Sequence, residues 1–141
     1  MRTKPTKARS SFAALLLAAL WLLAGCERQI YEAIYAKPSR PITCIDVEAD
    51  EITRFVLLKN PTLKTLQKRA CPFRLKATSR YVTSCTSAQA KALGSDFDGF
   101  LRLELYEEGR LLYRNQQDFK GCLTDAVVDR LVGKLKEHYG L

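Results

Sequence analysis

Residues 100–119 read FLRLELYEEGRLLYRNQQDF, and this stretch decides the fold class. Within residues 100–106, leucines alternate with polar or aromatic residues, a period of two that predicts a strand with one buried and one solvated face. Glu108-Gly109 is a turn signal, so residues 111–119 are expected to return as the second arm of a hairpin. The sequence therefore predicts a β-sheet that is exposed to water on one side.

A long C-terminal helix is predicted after this hairpin, from about Leu123 to Tyr139. Asp125 lies near its start and Lys134 and Lys136 near its end, as the helix dipole favours. Gly140 can close it. Its apolar stripe consists of Val127/Val128, Leu131, Leu135 and His138/Tyr139.

Five segments upstream complete the predicted domain. Residues 42–47 and 52–58 are rich in aliphatic residues and predict a hairpin. Asn60-Pro61 is a helix start, residues 73–83 alternate as a strand, and residues 86–94 fit a capped helix that ends at Gly94. The fold class expected from this order is α+β: a single mixed β-sheet of about five strands with two to three helices packed mainly on one face.

The N-terminus has the pattern of a secretory signal peptide. Four bases precede an unbroken apolar run at residues 12–23, which is shorter than the roughly 20 residues that a membrane-spanning helix needs. Residues 22–26 then read LLAGC. This segment resembles the lipobox of a bacterial lipoprotein signal peptide, in which the cysteine, here Cys26, is lipidated and becomes the new N-terminus. The alternative is an ordinary cleaved signal in which Cys26 is incidental.

The lipobox resemblance implies a cellular location and a division of the chain into three parts. A lipoprotein of this type carries a thioether diacylglycerol, commonly with a third acyl (palmitate) chain, and several chains hold a protein stably at a membrane. Glu27, which is not Asp, implies the periplasmic face of the outer membrane. The expected divisions are a signal peptide (1–25), a lipidated N-terminus and tether (26–41) with one helical turn around Ile30–Tyr35, and a periplasmic α/β domain (42–141).

Charge is unevenly distributed along the chain. Four of the 23 bases lie within residues 1–25 and all 15 acids lie beyond, so the remaining chain carries +4 instead of the full chain's +8. Residues 52–95 contain no acid. Either these bases form a solvated surface, or they bind an anionic partner such as lipopolysaccharide phosphates, phospholipid head groups or an acidic protein. The candidate residues are Arg54, Lys59, Lys64, Lys68, Arg69, Arg74, Lys76 and Arg80, with Lys91 beyond them.

Four cysteines besides Cys26 predict two disulfides in an oxidising compartment. The absence of a Cys-x-x-Cys pair argues against a zinc or thioredoxin-like site. Of the three possible connectivities, the predicted strand directions favour Cys44–Cys85 with Cys71–Cys122.

Residues that could carry chemistry are few. His138 is more typical of helix packing than of catalysis, and Asp96 and Asp98 fit a turn better than a calcium site. Phosphate-loop, dinucleotide and nucleophile-elbow motifs are missing from the sequence. We therefore expect no enzyme activity, no cofactor and no bound metal.

Residues 87–105, SAQAKALGSDFDGFLRLEL, resemble a helix–ALGxD–strand step. That step is found in envelope proteins with the fold of the N-terminal domain of the Tol-system propeller protein, including lipoprotein activators of penicillin-binding proteins. The resemblance implies an accessory lipoprotein that docks on an envelope machine for cell-wall synthesis, Tol function, or secretion or flagellar assembly. The alternative is a lipopolysaccharide-assembly lipoprotein that binds lipid phosphates through its bases. A redox or metal-handling protein is a third possibility. Nucleic acid is disfavoured by the compartment.

Overall fold

The protein is described by a computed structural model over residues 29–81 and 97–141. Its sheet has the order β1-β5-β4-β3-β2, in which β2 is parallel to β3 and the other pairs are antiparallel. One mixed five-stranded sheet with three helices in the described residues confirms the predicted α+β class. The elements are β1 Ile30–Ile34, β2 Asp46–Glu48, α1 Glu51–Leu57, α2 Pro61–Leu66, β3 Phe73–Tyr81, β4 Gly99–Glu107, β5 Arg110–Phe119 and α3 Asp125–Tyr139.

The predicted central hairpin is confirmed as β4 and β5. Its turn has Glu108 at φ 48° and Gly109 at φ 87°, the two positive values that a tight hairpin of type I′ requires. Because side chains alternate along a strand, the leucines of β4 enter the core. Leu75, Leu105 and Tyr113 lie side by side on neighbouring strands and are fully buried.

Helix α3 covers part of this core, as its apolar stripe predicts. Its buried residues are Val127, Val128, Leu131, Val132 and Leu135. Gly140 closes the helix at φ 68°, and its N–H donates to the Lys136 carbonyl at 2.7 Å.

The predicted hairpin of residues 42–47 and 52–58 is wrong. Residues 51–57 form α1, because the Asp50 side chain caps the helix by accepting from the Thr53 N–H at 3.0 Å. Thr53 and Leu57, one turn apart, are buried. The run resembled a strand because Ile52 and Phe55 are apolar, yet they are 76% and 69% exposed.

The helix predicted at Asn60-Pro61 is confirmed as α2. The Asn60 side chain accepts from the Thr62 and Leu63 N–H groups at 3.1 and 3.3 Å, and it donates to Asp129 of α3 at 2.7 Å. Asn60 therefore caps one helix and ties it to another. The helix predicted at 86–94 and the last two residues of the predicted strand 73–83 lie outside the described residues.

The helical turn expected around Ile30–Tyr35 is wrong. Residues 30–34 are the edge strand β1, antiparallel to β5. The next residues are fastened to the β4–β5 turn: Ser39 donates to Glu107, and Arg40 pairs with Glu108 at 2.7 Å. The chain from Ile30 to Arg40 therefore lies along the domain instead of leading away from it as a tether.

The expected disulfide pairing is also wrong, because Cys44 is bonded to Cys71. β2 and β3 run parallel with Asp46 opposite Arg74, so the residues that precede the two strands lie side by side. The Cα atoms of Cys44 and Cys71 are 6.0 Å apart. The prediction failed because it treated residues 52–58 as a strand, which set the wrong strand directions. Cys122 is also disulfide-bonded, and Cys85 lies outside the described residues.

Candidate functional site

The alternating residues of β3, β4 and β5 give the sheet a second surface on the side away from the core. We call this surface the outward face. It consists of Arg74, Lys76, Thr78 and Arg80 on β3, Phe100, Arg102, Glu104 and Tyr106 on β4, and Arg114, Gln116 and Asp118 on β5. It combines the bases and acids of a solvated sheet face with aromatic rings and arginines, the residue types that are enriched at protein interfaces.

The centre of the outward face is an ion pair across two strands. Arg114 Nη2 lies 2.6 Å from Glu104 Oε1, and its Nε donates to the same oxygen at 2.8 Å. This contact holds the pKa of the Arg114 guanidinium above its usual value. Lys76 is opposite Glu104 on β3 and forms no ion pair with any described residue. Because Arg114 already neutralises Glu104, Lys76 keeps its charge available to a partner.

Aromatic and amide groups hold a second arginine in place. The Arg102 guanidinium lies 5.4 Å from the centre of the Phe100 ring, and its Nε donates to Gln116 at 3.0 Å. Gln116 in turn donates to Asp118 at 3.3 Å. A surface whose side chains already hold one another loses less entropy when a partner binds.

Two hollows lie at opposite ends of the outward face. The turn-side hollow, about 280 Å³, is lined by Glu48, Arg74, Lys76, Tyr106 and Gly109. The strand-end hollow, about 440 Å³, is lined by Arg80, Tyr81, Phe97, Phe100, Gln116 and Asp118. Each contains a base and a carboxylate, and in the turn-side hollow Arg74 pairs with Glu48 at 3.3 Å.

The eight candidate bases do not form one patch. Arg74, Lys76 and Arg80 share the outward face. Arg54 donates to the Val47 carbonyl, and Lys59 pairs with Asp125 at 3.6 Å, so these two have structural contacts. The exposed bases Lys64, Lys68 and Arg69 belong to α2 and the loop that follows it.

A larger groove of about 480 Å³ runs between β1 and α3, and each of its charged side chains has a polar partner. Glu32 accepts from the Tyr113 hydroxyl at 2.5 Å, and burial together with this hydrogen bond raises the pKa of Tyr113. Arg130 donates to Gln117 at 3.1 Å, and Lys134 pairs with Glu137 at 2.7 Å. The charged groups of this groove are therefore already hydrogen-bonded or ion-paired, whereas Lys76 on the outward face forms no ion pair with any described residue.

The residues considered for chemistry have structural contacts. His138 stacks on Tyr113, with ring centres 5.6 Å apart, and meets the Tyr139 ring edge-on at 5.3 Å. Asp98 is buried and accepts from the Gly121 N–H at 2.6 Å; Asp96 lies outside the described residues. Within 29–81 and 97–141, no group of three His, Cys, Asp or Glu residues could hold a metal ion.

Sequence reasoning about bases found the β3 part of this site and missed the rest. Phe100, Arg102 and Arg114 lie on neighbouring strands but outside the acid-free stretch. The signal that could have found them is alternation, since the solvated positions of the two hairpin arms come together once the arms pair.

Comparisons with known proteins identify no relative of this chain. A scan against protein-family models and searches of curated proteins and solved structures find no match to this chain. Among the described helices, none has the length and apolar character needed to span a membrane.

Proposed function

We propose that this chain is a lipid-anchored periplasmic lipoprotein of the outer membrane that acts as a non-catalytic binding module of an envelope machine, such as one for cell-wall synthesis, Tol function, or secretion or flagellar assembly. The observation that carries the proposal is the outward face, on which Lys76 and Arg80 form no ion pair with any described residue and Phe100 packs against Arg102. The lipobox at residues 22–26 supplies the proposed anchor at Cys26.

The charge pattern of the outward face favours a protein partner. Glu48 shares the turn-side hollow with Arg74 and Lys76, and Asp118 shares the strand-end hollow with Arg80. A carboxylate beside each base would repel a phosphate, whereas a protein surface can present both signs of charge and complement the face. Phe100 and Tyr106 add the aromatic contacts that are enriched at protein interfaces.

The second candidate is a lipopolysaccharide-assembly lipoprotein. It is favoured by one observation, that Arg74 and Lys76 line the same hollow and could together approach a lipid phosphate. The two candidates differ in the class of molecule that should contact Lys76.

The test is photocrosslinking in living cells, followed by identification of the captured molecule. A photoreactive amino acid replaces Thr78, which lies between Lys76 and Arg80 on the outward face of the full-length chain. The control carries it at Lys136, which is exposed on α3. The proposal predicts one protein adduct from position 78 that is missing from position 136. Lipopolysaccharide adducts from position 78 would instead support the second candidate, and identical adducts from both positions would contradict both.

Charge reversal provides a second test, with a matched control. Lys76→Glu with Arg80→Glu should abolish the adduct formed from a photoreactive residue at Thr78. The pair Lys64→Glu with Lys68→Glu makes the same charge change away from the outward face, and it should leave the adduct intact.

A further inference from the structure

The edge strand β1 begins four residues after Cys26, the cysteine of the lipobox. Four residues can span at most about 14 Å, even when fully extended. Because the chain from Ile30 onward is fastened to the domain, the anchor and the sheet edge cannot be far apart. A lipid on Cys26 therefore brings β1 close to the membrane surface.

The β1 edge carries the side chains that a membrane interface accommodates. Tyr31, Ile34 and Tyr35 are 53%, 58% and 52% exposed, although each is large and apolar in part. Tyrosine is enriched at membrane–water interfaces because its ring is apolar and its hydroxyl is polar. Arg114 lies 5.6 Å from the centre of the Tyr35 ring, so Tyr35 packs against the arginine that is paired with Glu104.

No described strand pairs with the outer side of β1, since it is the last strand of the sheet order. Exposed sheet edges usually carry charges or prolines that prevent pairing with another chain. β1 carries one charged residue, Glu32, whose carboxylate accepts a hydrogen bond from the Tyr113 hydroxyl of the neighbouring strand. Tyr31 and Ile34 also stand on this edge strand, and Tyr35 follows it directly. These large exposed side chains favour a surface that covers the edge, and the four-residue link to Cys26 makes the membrane that would hold the lipid the nearest one.

We propose that the β1 edge, formed by Tyr31, Ile34 and Tyr35, lies in the head-group region of the phospholipid bilayer that holds the lipid on Cys26. The domain then stands edge-on to the membrane, with the outward face directed sideways. This inference rests on the proposed lipid anchor, and it adds the part of the folded domain that contacts the lipid.

Tryptophan fluorescence tests the contact, because the single tryptophan of the chain is Trp21, which the proposed signal cleavage removes. Tyr31→Trp gives the mature protein one reporter on the β1 edge. Phe55→Trp is the matched control, an exposed aromatic position on α1. Both full-length proteins are expressed, extracted from membranes and reconstituted in phosphatidylethanolamine–phosphatidylglycerol vesicles, with or without bromine on the acyl chains.

The expected result is that the emission of the Tyr31→Trp protein shifts to shorter wavelength, loses most of its intensity to brominated lipid and resists aqueous iodide. The Phe55→Trp protein should show the opposite pattern. Quenching of the β1 reporter by iodide, or by neither quencher, would overturn the inference, the second result indicating that protein covers the edge. Flotation of the wild-type protein with the vesicles is scored separately, since failure to float would contradict the anchor itself.

Discussion

Gly99 occupies a position in the sheet where a side chain has no room. A Cβ atom there would lie 2.5 Å from the Arg80 carbonyl oxygen and 2.9 Å from the Phe119 ring. Gly99→Ala should therefore lower the free energy of unfolding by about 1–3 kcal/mol, the usual cost of overpacking. Urea unfolding measures this change.

Gly133 provides the control for that substitution. It lies within α3, where an added Cβ atom would meet no neighbouring atom within 4 Å. Gly133→Ala should raise the free energy of unfolding by about 0.5–1 kcal/mol, because glycine in a helix loses more backbone entropy on folding than alanine. Equal destabilisation by both substitutions would contradict the packing described around Gly99.

Glu107 ties the N-terminal segment to the central hairpin through its charge. Hydrogen bonds from Ser39, and then the contact with Arg110, hold the pKa of Glu107 below its ordinary value of 4.5. A carboxyl group with a lowered pKa stabilises the fold above the unfolded pKa, and that contribution is lost as the pH falls through the folded value. Glu107→Gln should therefore be less stable than the wild type at neutral pH.

The difference between Glu107→Gln and the wild type should shrink as the pH drops below 4.5. Urea unfolding over a pH series measures it. Glu108→Gln is the control at the neighbouring position, whose side chain is 64% exposed and pairs with Arg40. A stability gap that stays constant with pH would show that the charge of Glu107 does not fasten this segment.

At the scale of the elements, the Cys44–Cys71 disulfide joins the starts of two parallel strands. The two cysteines are 27 residues apart in the sequence. For a loop of this length, the chain-entropy account gives a stabilisation of the fold of about 3–4 kcal/mol. Cys44→Ser with Cys71→Ser should lower the free energy of unfolding by that amount. Peptide mapping of the oxidised wild type should recover Cys44 joined to Cys71, and recovery of Cys44 joined to Cys85 would contradict the parallel pairing of β2 and β3.

The elements differ in how well sequence predicts them, and the reason is local. β4, β5, α2 and α3 could be predicted because their alternation, caps and turns lie within one short stretch each. The sequence predicts a strand at α1 because Ile52 and Phe55 are apolar. Both are exposed, so the apolar positions of this segment do not coincide with its buried positions. β1 was missed because its partner is β5, about eighty residues further along the chain.

The outward face could be predicted only in part for a related reason. Sequence shows that Arg74, Lys76 and Arg80 alternate along one strand. Their proximity to Phe100 and Arg102 depends on the register between β3 and β4, which places Arg80 opposite Phe100 and Thr78 opposite Arg102. The register is set by the packing of the whole sheet, and the positions of the bases in the sequence do not predict it.

At the scale of the whole molecule, the two proposed surfaces are compatible. Strand β3 is three positions from β1 in the sheet order, which corresponds to roughly 14 Å at the usual spacing of strands. A domain standing edge-on therefore holds Lys76 and Arg80 away from the bilayer surface. This geometry favours a partner beside the protein over phospholipid head groups beneath it.

The proposed location and the proposed membrane contact of β1 both depend on lipidation of Cys26, so its direct measurement comes first. The full-length chain is expressed, extracted from membranes and analysed by intact mass spectrometry, with Cys26→Ala as the control. The account predicts a chain that begins at Cys26 and carries the added mass of a diacylglyceryl group and fatty acyl chains, and no such mass in the control. An unmodified chain, or one that begins at another residue, would contradict it.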